Sequence, residues 1–167
     1  PITRIETIWN GTIDHSRIKW CSPDPQKAER HFLNPGDILF SHINSPDHIA
    51  KTAIYEGEPQ KLLHGINLLR LQPDLDVVDP HWLLYLLKSD KIRGFFRARC
   101  KKAVNQASLN QGNLKELTFD LPVLATQQEF SKRTLIIEKE AYRYHVSSKL
   151  IEHLFLSLQH CAFRGEL

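Results

Sequence analysis

The spacing of apolar positions changes along the chain and divides it into three parts. Three brief apolar runs, bounded by Pro, Gly, Asn and Asp, predict short strands within a β-rich, loop-rich part over residues 1 to about 75: Ile38-Leu39-Phe40, Thr52-Ala53-Ile54-Tyr55 and Leu68-Leu69-Arg70-Leu71. Asp79-Pro80 then predicts a helix start, because Asp accepts from free N–H groups and Pro fits the first helical position. A second helix is predicted over about 90–100, and a last strand over 117–121, ended by Pro122.

The last third of the chain predicts one long helix. Thr126-Gln127-Gln128-Glu129 matches a capping box, and no Gly or Pro follows before Gly165. A helix over 127–162 would be about 54 Å long. Ten positions follow an unbroken 4-3-4-3 spacing: Phe130, Thr134, Ile137, Ala141, Tyr144, Ser148, Ile151, Phe155, Leu158 and Ala162.

A stripe that repeats every 3.5 residues predicts pairing with a second helix along its length. The seven residues expected to form the pairing seam are Phe130, Ile137, Ala141, Tyr144, Ile151, Phe155 and Leu158. The alternative is a core helix that packs on its own domain. The pattern as a whole predicts an α+β protein: a mixed, loop-rich globular domain over 1–122, followed by a long C-terminal coiled-coil helix with its tail over 123–167.

Composition narrows the class of protein. No stretch approaches the roughly 18 to 20 apolar residues of a membrane span, so we expect no membrane partner. The three cysteines, Cys21, Cys100 and Cys161, are far apart and form no CxxC pair, which favours a reducing cytoplasm over a disulfide framework. None of the nine histidines stands at metal-ligand spacing with Cys or another His, so no metal site is expected.

Basic charge is concentrated in one segment. The chain carries a net charge of only +3, yet 88–102 holds seven basic residues against one acid, a net charge of +6. Such a patch on a near-neutral chain is typical of a surface that binds a polyanion. A solvated helix face is the alternative interpretation.

Sequence signatures of catalysis are absent. Asp79-Pro80-His81-Trp82 departs from the Asp/Asn-Pro-Pro-aromatic motif of DNA adenine methyltransferases at its third position, and no Gly-rich turn follows a strand to hold a methyl-donor nucleotide. No Asp/Glu-x-Lys triplet of a restriction-type nuclease occurs, nor a GxxxxGK(S/T) loop or a Gly-x-Ser-x-Gly elbow. We therefore expect no catalytic residues.

Four segments, in order along the chain, carry a resemblance to one family. They are Pro35-Gly36-Asp37-Ile38-Leu39-Phe40-Ser41, Asn105-Gln106-Ala107-Ser108-Leu109-Asn110, the segment from Leu121-Pro122-Val123-Leu124 to Phe130, and the C-terminal segment from Ser157 to Leu167, which ends in Ala162-Phe163-Arg164-Gly165-Glu166-Leu167. Together they resemble the specificity subunit of type I restriction–modification enzymes. Val123 stands where that family usually has a second Pro.

The resemblance implies a division of labour. The globular domain would be a target-recognition domain that reads half of a split double-stranded DNA target, and the helix would set the distance to the other half. Methyltransferase subunits that use S-adenosylmethionine would dock on the specificity subunit, and a motor-nuclease subunit that uses ATP and Mg²⁺ would restrict unmethylated DNA. The chain itself would need no cofactor. The family's subunit usually carries two such domains and two helices, so we expect either a fragment or a half-length subunit that pairs with a second copy.

Two kinds of DNA contact are assigned to separate residues, because phosphate contacts position a protein whereas base contacts specify sequence. The phosphate candidates carry the segment's positive charge: Arg93, Arg97, Arg99, Lys101 and Lys102. The base-reading candidates lie in two polar segments with donors and acceptors that fit groove edges: Ser41, His42, Asn44, Lys51, Asn105, Gln106 and Ser108. For each of the latter, a turn-forming polar group is the alternative.

Two other functions compete with DNA reading. One is a coiled-coil assembly or adaptor protein whose globular head binds protein, which the long heptad pattern supports and the basic segment argues against. The other is a stand-alone nuclease or methyltransferase domain, against which the missing motifs argue.

Overall fold

Helices and short strands are mixed along the chain, and one helix is far longer than the others. The structure is a computed structural model and describes residues 1–45, 48–103 and 106–166. The chain divides into two compact units, Pro1–Gln127 and Gln128–Leu167. The predicted α+β class, with small sheets and a long C-terminal helix, is confirmed.

A three-stranded antiparallel sheet forms the centre of the first unit. Strand β3 (Ile38–Ser41) lies between β5 (Thr52–Ile54) and β6 (Leu68–Leu71), with Leu39 opposite both Ala53 and Arg70. All four residues of β3 are buried, because its alternating side chains enter two separate apolar clusters. Ile38 and Phe40 join one cluster and Leu39 the other. The three predicted apolar runs are therefore the three strands of this sheet.

A tight hairpin closes one side of the sheet. Strands β1 (Ile8–Trp9) and β2 (Thr12–Ile13) pair antiparallel through the two-residue turn Asn10-Gly11. Both turn residues have left-handed backbones, with φ of 49° and 94°, which is the geometry that Asn-Gly favours in a hairpin of this length. The Gly11 carbonyl accepts from the Ile54 N–H at 3.0 Å, so the turn is fixed to the edge of β5.

Two helices cover one face of the central sheet. Helix α2 (Pro80–Lys88) begins as predicted, with the Asp79 carboxylate accepting from the Trp82 N–H at 2.9 Å. Helix α3 (Asp90–Arg99) follows at once, after Ser89 caps its start. Four of their side chains are buried in the same cluster as Ile38 and Phe40: Leu84, Leu87, Ile92 and Phe96. Phe95 lies at the edge of this cluster, half-buried against Phe96.

Three short strands form a second sheet from distant parts of the chain. Strand β4 (Ile43–Asn44) pairs with β8 (Gln106–Ser108), which also pairs with β7 (Lys101–Ala103), all antiparallel. The first unit also contains two short α-helices, α1 (Pro25–Ala28) and α4 (Gln111–Lys115), and three single-turn 3-10 helices over Ile5–Thr7, His15–Arg17 and Glu29–His31.

The strand predicted over 117–121 is wrong. These residues are all described and are assigned to no strand. Leu117 packs against the cluster under α2 and α3, and the Phe119 ring lies 6.0 Å from the ring of Trp82. Alternating apolar positions indicate which side chains pack against the core. A strand also needs a neighbouring strand with which its backbone forms hydrogen bonds. Here the helices supply the apolar contact.

The long helix α5 (Leu124–Arg164) begins earlier than the capping box predicts. The Val123 carbonyl accepts from the Thr126 and Gln127 N–H groups, which places Thr126 inside the first turn. Its 41 residues correspond to about 61 Å, and the helix ends at Arg164, which is followed by Gly165 with a φ of 70°. The capping-box prediction is wrong because the helix begins at Leu124, so that Thr126 lies inside it and is not its N-cap.

Gln127 is fully buried, and its amide side chain holds three backbone groups. Its Oε1 accepts from the Asp79 N–H at 2.9 Å. Its Nε2 donates to the carbonyls of Val77 at 3.1 Å and Pro122 at 2.7 Å. The side chain therefore joins the segment before α2 to the segment before α5.

We expect Gln127→Leu to lower the free energy of unfolding by about 3 kcal/mol, because it removes a partner from buried polar groups. Urea denaturation followed by circular dichroism measures the change. The exposed neighbour gives the control, since Gln128→Leu should change stability by no more than about 0.5 kcal/mol. An equal loss in both variants would show that the Gln127 hydrogen bonds contribute nothing specific.

Candidate nucleic-acid interface

The second sheet brings together two polar segments that the sequence analysis singled out separately. Ile43 lies opposite Ser108, and Ser108 lies opposite Lys101. Residues in such a row point to the same face of a sheet. In the neighbouring row Ala107 is fully buried, so that row faces the core. Ile43, Ser108 and Lys101 therefore lie on the outer face, where Lys101 is exposed and the other two are partly exposed.

Two of the base-reading candidates are used within the protein. The Asn44 Nδ2 donates to Ser41 Oγ at 3.0 Å, and its Oδ1 accepts from the Ser45 N–H at 2.8 Å. Ser41 is fully buried. Burial leaves the Ser41 hydroxyl no path to a base edge in this conformation, and the alternative of a turn-forming polar group describes both residues.

His42 lies between the central sheet and β4 and is partly buried. Its carbonyl accepts from the Leu109 N–H at 2.8 Å, which ties the segment after β3 to the end of β8. Its Nδ1 is buried with no hydrogen-bond partner in the described part of the chain. Burial lowers the pKa of His42, because the charged imidazole would lose its hydration. A neutral imidazole can both donate and accept a hydrogen bond.

The phosphate candidates differ in how free they are to bind an anion. Arg97 is exposed at the end of α3, and Lys101 is exposed in β7. The Arg99 guanidinium lies 3.7 Å from the centre of the Phe95 ring, and its Nε donates to Glu116 Oε2 at 3.1 Å. Arg99 therefore already has a carboxylate partner, and its positive charge is partly neutralised.

Three of the candidates lie wholly or partly outside the described structure. Asn105 is outside the described residues. Lys102 and Gln106 have described backbones, in β7 and β8, but their side chains are outside the description. Their assignment to phosphate or base contacts stays a prediction.

The fold brings together a second set of cations that the sequence did not indicate as one site. Lys51 and Arg93, assigned from the sequence to different kinds of contact, line one surface cavity together with Lys88 and Trp9. The hairpin turn brings Trp9 to this cavity. The sequence contains a signal for this hairpin: Asn10-Gly11, between a tryptophan and a β-branched residue, predicts a two-residue hairpin turn.

Within residues 1–45, 48–103 and 106–166, no group of three or more His, Cys, Asp or Glu side chains is arranged to hold a metal ion. No helix of this described part combines the length and the apolar character needed to cross a membrane.

Comparison with known proteins gives a consistent family. A family model described as the type I restriction modification DNA specificity domain matches residues 1–137. The putative type I restriction enzyme MjaX specificity subunit of Methanocaldococcus jannaschii is 48% identical over 133 residues, which cover 79% of this chain and 31% of that protein. The type I restriction enzyme EcoKI specificity subunit of Escherichia coli is 25% identical over 173 residues, which cover all of this chain and 37% of that protein. The chain thus spans about a third of the length of the curated relatives it matches.

Burial of His42 predicts a pH dependence of stability. Its folded pKa, and that of the half-buried His64, which is lowered mainly by desolvation, lies below the unfolded value of about 6.5. Between those values the unfolded chain binds more protons, so the free energy of unfolding falls as pH drops below about 6.5. We expect urea denaturation at about pH 7.5 and pH 5.5 to show this fall, and a smaller fall in the double variant His42→Gln, His64→Gln. Equal falls would contradict the assignment to these two side chains.

Proposed function

The chain belongs to the family of type I restriction–modification DNA specificity domains, and from that premise we propose that its first unit recognises one half of a split duplex DNA target. In this proposal the chain contributes DNA reading and no catalytic residue or cofactor. The partner subunits would supply the chemistry: methyltransferase subunits with S-adenosylmethionine, and a motor-nuclease subunit with ATP and Mg²⁺. The cytoplasm, where DNA and these subunits meet, is the compartment we propose.

The observation that carries the proposal is the convergence of two polar segments on the second sheet. The first follows the buried strand β3 and the second follows the basic helix α3, and β8 pairs with strands from both. Lys101 and Ser108 share the outer face of that sheet, beside the end of a helix that carries exposed Arg97. Cations beside hydrogen-bonding side chains are what a protein needs to combine phosphate contacts with base contacts.

The long helix supports a spacer role that requires a partner helix. The pairing stripe is exposed along its length, with 65% of Ile137, 67% of Ile151 and 59% of Phe155 accessible. A single helix has no core of its own in which to bury them. Other apolar side chains off the stripe are exposed too, among them Ile136, Leu150, Leu154 and Leu156. We propose that the stripe packs on the corresponding helix of a second recognition half, on the same polypeptide or on a second copy.

The exposed helix also favours the second candidate, a coiled-coil assembly or adaptor protein. That function needs the helix and does not need DNA. Retention of duplex DNA at moderate salt separates the two, because an adaptor gains nothing from cations on its head.

Selection from a random duplex library, with the purified protein and its methyltransferase partner, tests the proposed function directly. We expect one enriched sequence. In the same assay Ser108→Ala and Gln106→Ala should change the enriched bases, whereas Arg97→Gln should weaken binding to all duplexes alike and reduce the slope of log affinity against log salt by about 0.9. Lys61→Gln removes an exposed charge elsewhere and is the control. Enrichment of no sequence would contradict the proposal.

Helix pairing is tested by charge in the stripe. Ile137→Asp, Ile151→Asp and Phe155→Asp together should convert a self-associated protein to a monomer in sedimentation equilibrium, because three carboxylates would be buried in the seam. The matched control places the same charges on the opposite face of the helix, at the exposed Leu135, Tyr142 and Val146. A monomeric parent protein, or equal loss of association in both triple variants, would show that the stripe does not pair two copies.

A further inference from the structure

A surface cavity of about 320 Å³ lies where the β1–β2 hairpin, the start of β5 and the helices α2 and α3 meet. The hairpin contributes the four residues 8–11, and the chain leading into β5 contributes Ala50, Lys51 and Thr52. Lys88 at the end of α2 and Arg93 in α3 complete the lining. All of these residues belong to the first unit.

The lining of this cavity carries three positive charges and no negative charge. Its ionisable residues are Lys51, Lys88 and Arg93. In the described part of the chain, no carboxylate forms an ion pair with any of the three. Lys88 is held in place because its Nζ donates to the Asn10 carbonyl at 3.1 Å. Three cations placed together repel one another, and an anion among them removes that cost.

Two residues of the cavity lining each have a buried side-chain atom without a hydrogen-bond partner among the described residues. The two atoms are Thr52 Oγ1 and Arg93 Nε. A buried donor that has lost its water and found no partner raises the free energy of the empty site. Rotation of these two side chains toward an oxyanion in the cavity would give each group an acceptor, since a hydroxyl and a guanidinium donate hydrogen bonds to phosphate oxygens.

Trp9 stands at the mouth of the cavity with 57% of its surface exposed. The Lys51 Nζ and the Arg17 Cζ each lie 5.7 Å from the centre of its ring. These cation–π contacts hold cations beside a flat apolar surface. A sugar next to a bound phosphate would find an apolar face there.

We propose that this cavity binds one backbone phosphate of duplex DNA, through Lys51, Arg93 and Lys88, with Trp9 packed against the adjoining deoxyribose. The proposal rests on the proposed function and deepens it, because it names a contact that positions the DNA rather than reads it. It reassigns Lys51 from base reading to phosphate binding. It also adds Thr52, Lys88 and Trp9 to the interface.

The cavity is tied to the segment that leads into the second sheet. The Lys51 carbonyl accepts from the Ser41 N–H at 2.8 Å, and the Ser41 carbonyl accepts from the Ala50 N–H at 2.9 Å. His42 follows Ser41 directly, and β4 begins one residue later. A phosphate held at Lys51 is therefore at a fixed separation from His42 and the second sheet, which sets the register in which their side chains meet the bases.

The test compares Lys51→Gln and Arg93→Gln in the full chain with Lys27→Gln, a control at an exposed lysine that lines a different cavity. Filter binding over a range of salt measures affinity for the selected duplex and for an unrelated one. We expect each cavity variant to reduce the slope of log affinity against log salt by about 0.9, and to lower affinity about eightfold at 0.1 M salt, for both duplexes alike. Circular dichroism and urea denaturation establish that each variant folds. Lys51→Gln is the variant least expected to disturb folding, because the Lys51 side chain donates no hydrogen bond to another described residue.

Inorganic phosphate and the duplex serve as separate probes for the source of the phosphate. The Trp9 indole N–H signal, assigned through Trp9→Phe, is followed by ¹H–¹⁵N spectroscopy while each is added. A shift on duplex addition that is lost in Lys51→Gln and Arg93→Gln supports the proposal. A shift with inorganic phosphate, together with unchanged duplex affinity in both variants, would overturn it in favour of a free phosphate.

Other outcomes separate this inference from the proposed function. Cavity variants that bind duplex as tightly as Lys27→Gln does would overturn the inference while sequence selection by the parent protein stands. A changed sequence preference in Lys51→Gln would also overturn it, because the cavity would then read bases. Duplex binding without any selected sequence, but weakened in both cavity variants, would contradict the proposed function and support the cavity.

Discussion

Strand β3 must bury both of its faces, and the first unit is organised by that constraint. Its neighbours β5 and β6 satisfy its backbone, and two apolar clusters cover its alternating side chains. The residue before it, Asp37, is nearly buried, and its Oδ2 accepts from Arg70 Nη2 at 2.6 Å and from the Asn34 N–H at 2.6 Å. A carboxylate removed from water in this way requires its partners, since an unpaired one would cost several kcal/mol. The segment Gly36-Asp37-Ile38-Leu39 therefore contributes the central strand, residues of both apolar clusters and the buried carboxylate of the first unit.

The same constraint fixes where polar groups can reach solvent. The chain leaves the central sheet at Ser41 and enters strand β4 of the second sheet two residues later, at Ile43. Some of the polar side chains there bind within the protein, as Asn44 does when its amide donates to the Ser41 hydroxyl. Others, such as Lys101 and Ser108 on the outer face, are left for a partner. Rigid support behind the contact residues is what a reading surface needs, because misplaced donors lose base discrimination.

The second unit follows a different rule, since its helix has no sheet or second helix within the unit to cover it. Exposed Ile, Phe, Tyr and Leu along more than thirty residues would favour association over isolation in water. An experiment can therefore distinguish electrostatic contacts made by the first unit from apolar contacts made by the second. One depends on salt, whereas the other depends on area buried.

Local sequence determined the elements whose cause is local. The Asp79-Pro80 helix start, the three apolar strands of the central sheet and the long helix without Gly or Pro all follow from propensities and periodicities within a few turns of chain. Tertiary structure decided what depends on distant partners: 117–121 packs without pairing, Thr126 lies inside the helix rather than at its cap, and Gln127 holds three backbone groups. It alone brought Lys51, Arg93 and Trp9 to one cavity, because a sequence records charge along the chain, whereas a site depends on which charges folding places together in space.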